Sequence, residues 1–338
     1  MSDSVSDFPG DLSKFDSQNY KRFIQGYAED LRTSYNRSFR SLIEKIDFSG
    51  NIIIVGSSWS LNASRIVGDY LQGKVRLLFS ESYDDSLTLT NNDLVIVVSY
   101  SGASEEGISW LRRARRVGAS SLIITSGDRL SEDSLGVPVI DLIKGLPSRC
   151  SVFTIIGTLL RLFEDLGLVS SVVDDVQEAV NYLRKQDVSK VAEDLSSKFY
   201  GVIPLIYASS SLENSAHRFK RLINVNAKSS AFSNVLSGAD YYEAEGFVNK
   251  NALFHAFFLS GSDDLSRLKK KISVFKDSLQ DQGIDVTELS INGKGLVKFV
   301  TSLLIADVSS YYLALRYNQD PLSDEVTNKI KKKMGLFI

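Results

Sequence analysis

Apolar and polar residues fall along this chain in alternating blocks of two kinds. Short continuous apolar runs, rich in β-branched residues, read as strands buried on both faces. They are Asn51–Val55, Val75–Phe79, Leu94–Val98, Ser121–Thr125 and Val137–Leu142, then Val202–Tyr207, Ser233–Leu236, Ala252–Leu259 and Asp285–Ile291. Between them lie longer stretches with helical spacing: 65–73, 105–117, 151–166, 213–225, 263–282 and 295–317. About Ser17 to Lys45 adds one or two helices ahead of the first strand, 174–198 a charged amphipathic helical stretch, and 323–334 a basic terminal helix. Strands alternating with helices predict a doubly wound α/β architecture with parallel sheets, and its repetition predicts two copies.

Ligands in such sheets sit at the carboxyl ends of the strands. Three of those ends carry small polar residues: 56–60, 99–104 and 125–127. The richest is Ser99-Tyr100-Ser101-Gly102-Ala103-Ser104, between the apolar run Leu94–Val98 and the helix that opens at Glu105. Hydroxyls and free backbone N–H groups meet there at a helix N-terminus, which suits a phosphate ester. No lysine follows the turn, which separates it from a nucleotide-binding P-loop. A serine-rich helix cap with no ligand fits the pattern equally.

The chain has 338 residues, 39 Lys and Arg against 41 Asp and Glu, and a formal net charge of −2. That balance gives no nucleic-acid footprint. Cys150 is the single cysteine, and His217 and His255 are the two histidines. Neither an intrachain disulfide nor a thiolate or multi-histidine metal site is therefore expected, and no cofactor is implied. The polar, acidic start and the absence of an apolar run of membrane-spanning length predict a cytoplasmic protein with no membrane partner.

The segment Ser99–Glu106 resembles the S-Y-S-G-N-T-x-E motif of sugar isomerase (SIS) domains. Pro147–Arg149, the run Ala216–Lys228 and the tail Arg316–Pro321 with Lys331 narrow the resemblance to the bifunctional phosphoglucose/phosphomannose isomerases, over roughly residues 45–335. That resemblance implies two flavodoxin-like, three-layer SIS domains in tandem. The expected divisions are a helical lead-in 1–44, a first domain 45–170, a second 175–322 and a terminal helix 323–338. It implies a sugar-phosphate ligand and a homodimer. It places Ser99, Ser101 and Ser104 on the phosphate, Arg149 near the enediolate oxygens and Lys331 in the active site. The turn after the first strand is longer than the family's and lacks its glycines, so either Ser60 or Ser64 matches the remaining phosphate ligand.

Two family positions are changed. The family's base is the Glu of N-E-N-A-K, and this chain reads Asn224-Val225-Asn226-Ala227-Lys228. The family's ring-opening His lies in H-N-E, where this chain has Tyr241-Tyr242-Glu243. Aldose–ketose isomerisation needs a base for a carbon-bound proton, and Val225 cannot serve. Candidate replacements are Glu243, Glu245 and Asp240, which read first as solvated carboxylates of a loop around Tyr241, and His217, which reads first as a structural or solvent-facing helical residue. His255, inside an apolar strand, and Cys150, heading an apolar helix, read as packing residues. Three functions follow: a sugar-phosphate-binding protein with weakened or lost isomerase activity, an isomerase with relocated catalytic groups, or a regulatory dimerisation module.

Overall fold

The computed structural model describes residues 15–83, 86–127, 130, 136–236 and 238–335. Residues 1–14 of the expected lead-in and 336–338 of the expected terminal helix lie outside them. By contact the chain divides into two compact units, Gly26–Arg184 and a second that joins the segment before Gly26 to the residues from Lys185 onward. The contact division falls at 184/185.

The first unit holds most of α1 (Tyr20–Tyr35), then α2 (Arg40–Ile43), β1 (Ile52–Gly56), α3 (Ser58–Tyr70), β2 (Leu77–Ser80), β3 (Leu94–Ser99), α4 (Glu105–Val117), β4 (Ser120–Thr125), β5 (Val139–Asp141), α5 (Val152–Asp165) and α6 (Val173–Lys185). Its sheet is parallel throughout, in the order β2-β1-β3-β4-β5. Every residue of β1 and β3 is buried, as continuous apolar runs require of central strands. Alternate residues Ile53, Val55, Val95, Val97 and Ile123 pack on Ile108, Trp110 and Ala114 of α4. Across the sheet, α5 is buried on nearly every side and carries Tyr27 of α1 against Phe153, ring centroids 4.6 Å apart. The Tyr70 hydroxyl of α3 donates to Asp175, which ties α6 to this unit.

The second unit holds α7 (Ser189–Phe199), β6 (Ile203–Ala208), α8 (Glu213–Asn226), β7 (Phe232–Val235), α9 (Ala239–Gly246), β8 (Phe254–Gly261), α10 (Ser266–Asp281), β9 (Asp285–Ile291), α11 (Gly295–Arg316) and α12 (Glu325–Met334). Its parallel sheet runs β7-β6-β8-β9, which repeats the first four strands of the other sheet. One face carries Tyr207 and Phe258 against Ile272, Phe275 and Leu279 of α10. The other stacks Phe257 between Phe199 of α7 and Phe219 of α8.

Three elements differ from expectation. The hydroxyl-rich stretch after β1 is not a turn: α3 begins at Ser58, and Ser60, Asn62 and Ser64 are buried in it beside Leu61 and Ala63. Residues 174–198 form two helices, broken where the Asp187 carboxylate accepts the Ser189 N–H at 2.9 Å. The stretch expected as a loop around Tyr241 is α9. Helix α11, 22 residues long, is apolar enough to cross a membrane, contrary to the expectation that no such run exists. Its most apolar window is 89% buried inside the protein, so here it is a core helix.

Candidate functional site

In a sheet ordered β2-β1-β3, the strand direction of travel reverses between β1 and β3, and the crevice outside their carboxyl ends is the favoured ligand position. Two serine-rich segments flank that point. Ser57 and Ser58 follow β1, and Tyr100–Ser104 follow β3. Ser58 has φ +50°, in the left-handed region that favours glycine, at the position where the chain turns from strand to helix.

The β3–α4 turn is held from three sides. The Tyr100 N–H donates to Ser60 Oγ at 2.9 Å. The Tyr100 carbonyl accepts the Ser126 hydroxyl at 2.7 Å and the Ser126 N–H at 3.1 Å. The Tyr100 hydroxyl donates to the Ile143 carbonyl at 2.9 Å and accepts the Leu146 N–H at 2.7 Å. Burial pushes this phenol above its ordinary pKa. The backbone of Ser101–Gly102 runs so close to Gly127 that a Cβ at Gly127 would lie 2.1 Å from the Ser101 carbonyl oxygen, and Gly102 itself has φ +68°. Only glycines allow this approach.

Within the turn, Ser99 is buried at the strand end and Ser101 is exposed. Ser104 caps α4: its Oγ accepts the Gly107 N–H at 3.1 Å and donates to Glu106 at 2.9 Å. Ser60 and Ser64 are separated by geometry. Ser60 reaches the turn, whereas Ser64 Oγ turns back to the Ser60 carbonyl at 2.9 Å inside α3. Arg149 is buried in the single 3-10 turn Ser148–Cys150 that leads into α5. The first unit thus contains Ser60, Ser99, Ser101, Ser104 and Arg149 in segments at the carboxyl side of one sheet.

His217, Glu243 and Lys331 lie in the second unit. Glu243 is not a solvated loop carboxylate: it accepts the Tyr207 hydroxyl at 2.6 Å and the Asn234 side-chain amide, clamping α9 to β6 and β7. Asp240 pairs with Lys271 at 3.0 Å. Glu245 is exposed, as is Tyr241, whose ring lies 5.1 Å from the Lys271 ammonium. His217 is half-buried on α8, and Lys331 is exposed in the last turn of α12. His255 is a packing residue: its Nε2 lies 2.9 Å from Thr287 Oγ1, and burial lowers its pKa. Val225 is half-buried near the end of α8, and Asn226 beside it is committed to Tyr20 and Ser310.

The second sheet has its own strand-to-helix turn in the place equivalent to Tyr100–Ser104, but the chain's own charges fill it. Asp264 accepts the Gly261 N–H at 2.7 Å, and Asp263 pairs with buried Lys298 at 2.8 Å. Lys298 also donates to Ser211 at 3.0 Å. Residues that sequence reasoning passed over are Ser126 and Tyr100, which hold the turn, and Asp30, a buried acid on α1. The carboxyl of Asp30 is pushed up to about 6 by burial and by neighbouring Glu29. Its one sequence signal is its place at the margin of the apolar stripe of Tyr27 and Leu31.

Residues 188–334 match the family described as bacterial phospho-glucose isomerase C-terminal SIS domain. The chain is 29% identical to a bifunctional phosphoglucose/phosphomannose isomerase of Caldicellulosiruptor bescii, over 92% of this chain and 98% of that one. It is 27% identical to one of Thermoplasma acidophilum, over 89% and 97%. Over 45% of this chain and 50% of the relative it is 34% identical to a D-glucosamine-6-phosphate 4-epimerase of Sulfolobus acidocaldarius. Among solved structures it is similar to the C-terminal domain of a glucosamine-fructose-6-phosphate aminotransferase of Francisella tularensis, with TM-score 0.66 at 13% identity over 90% and 97% of the two chains. It is also similar to tagatose-6-phosphate ketose/aldose isomerase of Escherichia coli, with TM-score 0.62 at 14% identity over 90% and 95%. At those identities the structures establish the fold.

Proposed function

We propose, on the premise that this chain is a tandem SIS-domain protein resembling the bifunctional phosphoglucose/phosphomannose isomerases, that it binds a hexose 6-phosphate through its first domain. The observation that carries this is the pinned Tyr100–Ser104 turn beside the β1/β3 crevice, with its hydroxyls and the N-terminus of α4 together. Such a turn offers donors to a dianion at little reorganisation cost. Ser60, Ser99, Ser101 and Ser104 are the phosphate-side residues of this reading, and Arg149 is the cation for the sugar oxygens. Lys331 has that role only by resemblance, as does the homodimer, which sedimentation would test.

Isomerisation is weakened in this reading, because Val225 and Tyr241 stand at the positions of the family's base and ring-opening histidine. Loss of a general base typically costs about 10²–10⁴-fold in rate. The test is calorimetric titration with glucose, fructose and mannose 6-phosphates, for the wild type and Ser101→Ala. Heat with at least one sugar phosphate, reduced in the variant, supports the reading. No heat with any of them ends it.

A second reading has its own support. The partial relative at 34% identity is a D-glucosamine-6-phosphate 4-epimerase, a different reaction on a related ligand. Glucosamine 6-phosphate therefore belongs in the same titration. Incubation with it, followed by NMR of the ring protons, tests for a galacto product.

A further inference from the structure

The backbone of Tyr100 belongs to the serine turn, but its phenol reaches a different segment. That segment, Ile143–Leu146, follows β5 and leads to Arg149. The hydroxyl donates to the Ile143 carbonyl at 2.9 Å and accepts the Leu146 N–H at 2.7 Å, so it ties one end of the bend to the other. A protonated phenol can do both at once, and burial favours that form by raising its pKa. Between the two ends the chain passes through Gly145 at φ +86°, where a Cβ would meet nothing within 4 Å. The bend is therefore shaped at its ends and not by packing at its tip.

From Leu146 the chain has little freedom before it reaches Arg149. The ring of Pro147 holds φ at −59°. The Cys150 N–H closes on the Pro147 carbonyl at 2.8 Å, and Ser151 Oγ closes on the Ser148 carbonyl at 2.8 Å. Arg149 is buried, and its 3-10 turn packs on α3, the helix that carries Ser60. Tyr100 thus joins two parts of the candidate site. Its own turn carries Ser99, Ser101 and Ser104, and its phenol fixes the chain just ahead of Arg149.

We infer that Tyr100 is a positioning residue whose phenol sets Arg149 against the serine turn, so that the phosphate and the sugar oxygens of one ligand are met together. The inference rests on the sugar-phosphate reading above. Tyr100 acts through Arg149, and the consequence is selective. An inorganic phosphate held by the serine turn alone is indifferent to the phenol, because the turn is also held by Ser60 and Ser126. A sugar phosphate, which extends to Arg149, depends on it.

Calorimetric titration of the full chain with inorganic phosphate and with glucose, fructose and mannose 6-phosphates tests this. Tyr100→Phe is expected to weaken the tightest sugar phosphate about 10-fold and inorganic phosphate by less than about twofold. In an Arg149→Met background the same substitution is expected to change sugar-phosphate affinity by less than about twofold, because the group it positions is gone. Gly145→Ala strains the bend from its own side and leaves the serine turn intact. It is expected to show the same selectivity, so the test does not depend on the phenylalanine variant folding. An equal loss for both ligands, an equal loss with and without Arg149, or no loss at all overturns the assignment of Tyr100, and the binding reading stands. If the wild type binds no sugar phosphate, both are overturned.

Discussion

Ser60 and Tyr100 are joined across the first domain's crevice by one buried hydrogen bond, the Tyr100 N–H donating to Ser60 Oγ at 2.9 Å. It links the helix after β1 to the turn after β3, 40 residues apart in sequence. Ser60→Ala leaves that N–H without an acceptor, at a cost of about 1–3 kcal/mol. Ser64→Ala removes a hydroxyl that only back-bonds within α3, and changes stability by less than about 0.5 kcal/mol. Urea midpoints of the two variants check the contrast. Equal effects would mean that Ser60 does not hold the turn.

Ser58 makes the neighbouring turn sensitive to side-chain shape. It is exposed, and its φ is +50°. A residue with a Cβ in this region is disfavoured by roughly 1–2 kcal/mol, and a β-branched one by more. Ser58→Val is expected to be less stable than Ser58→Gly by about 1–2 kcal/mol, since both lack the serine hydroxyl and differ at the strained backbone. Thermal melts of both variants measure the difference. A valine variant as stable as the glycine variant would contradict the turn geometry.

In the second domain the corresponding weight falls on Arg218 and Asp307, both wholly buried. The guanidinium donates to the carboxylate through Nε at 3.0 Å and through Nη2 at 2.9 and 3.0 Å, and the Tyr20 hydroxyl adds a further bond at 3.0 Å. Removing one member strands the other charge without water, so Arg218→Met is expected to cost about 3–5 kcal/mol. The double variant Arg218→Met with Asp307→Leu should lose less than the sum of the two single losses. A double-mutant cycle by chemical denaturation reads this directly, and strict additivity would refute a paired charge.

These cases show what a linear reading can carry. The strand, read as Leu94–Val98, and the helix Glu105–Val117 were legible because five apolar residues in a row and a strongly two-faced helix leave one interpretation. The helix after β1 was hidden because Ser60, Asn62 and Ser64 are buried polar residues, and buried hydroxyls look like turn residues in sequence. The helix Ala239–Gly246 was hidden because it is short and has almost no apolar face. Serines at strand ends marked the candidate site, but the bonds that rank Ser60 above Ser64 depend on where Tyr100 N–H points. Asp30 left little trace: an acid at the edge of an apolar helical stripe is usually at the surface, and its burial comes from packing that no local pattern encodes.

Asp30 also ties stability to pH in a direction opposite to most carboxylates. Its folded-state pKa is raised from 3.8 to about 6, so over that interval the folded protein binds more protons at this site than the unfolded chain. Stability then falls as pH rises from about 4 to about 6, instead of rising as it does for an ion-paired acid. A shift of about two pKa units at a buried group corresponds to about 2–3 kcal/mol, lost in full above pH 6. Asp30→Asn carries no charge in either state, so the variant should be more stable than the wild type at pH 7 and nearly equal at pH 4. His255 contributes with the other sign. Its pKa is lowered by burial, and the stability it confers while neutral is lost as pH falls below its unfolded value near about 6.5. That contribution is common to both proteins and cancels in their difference. Guanidinium denaturation of wild type and Asp30→Asn at half-unit steps from pH 4 to 7 isolates the contribution of Asp30, and a difference that stays constant across the series would show that folding does not shift its titration.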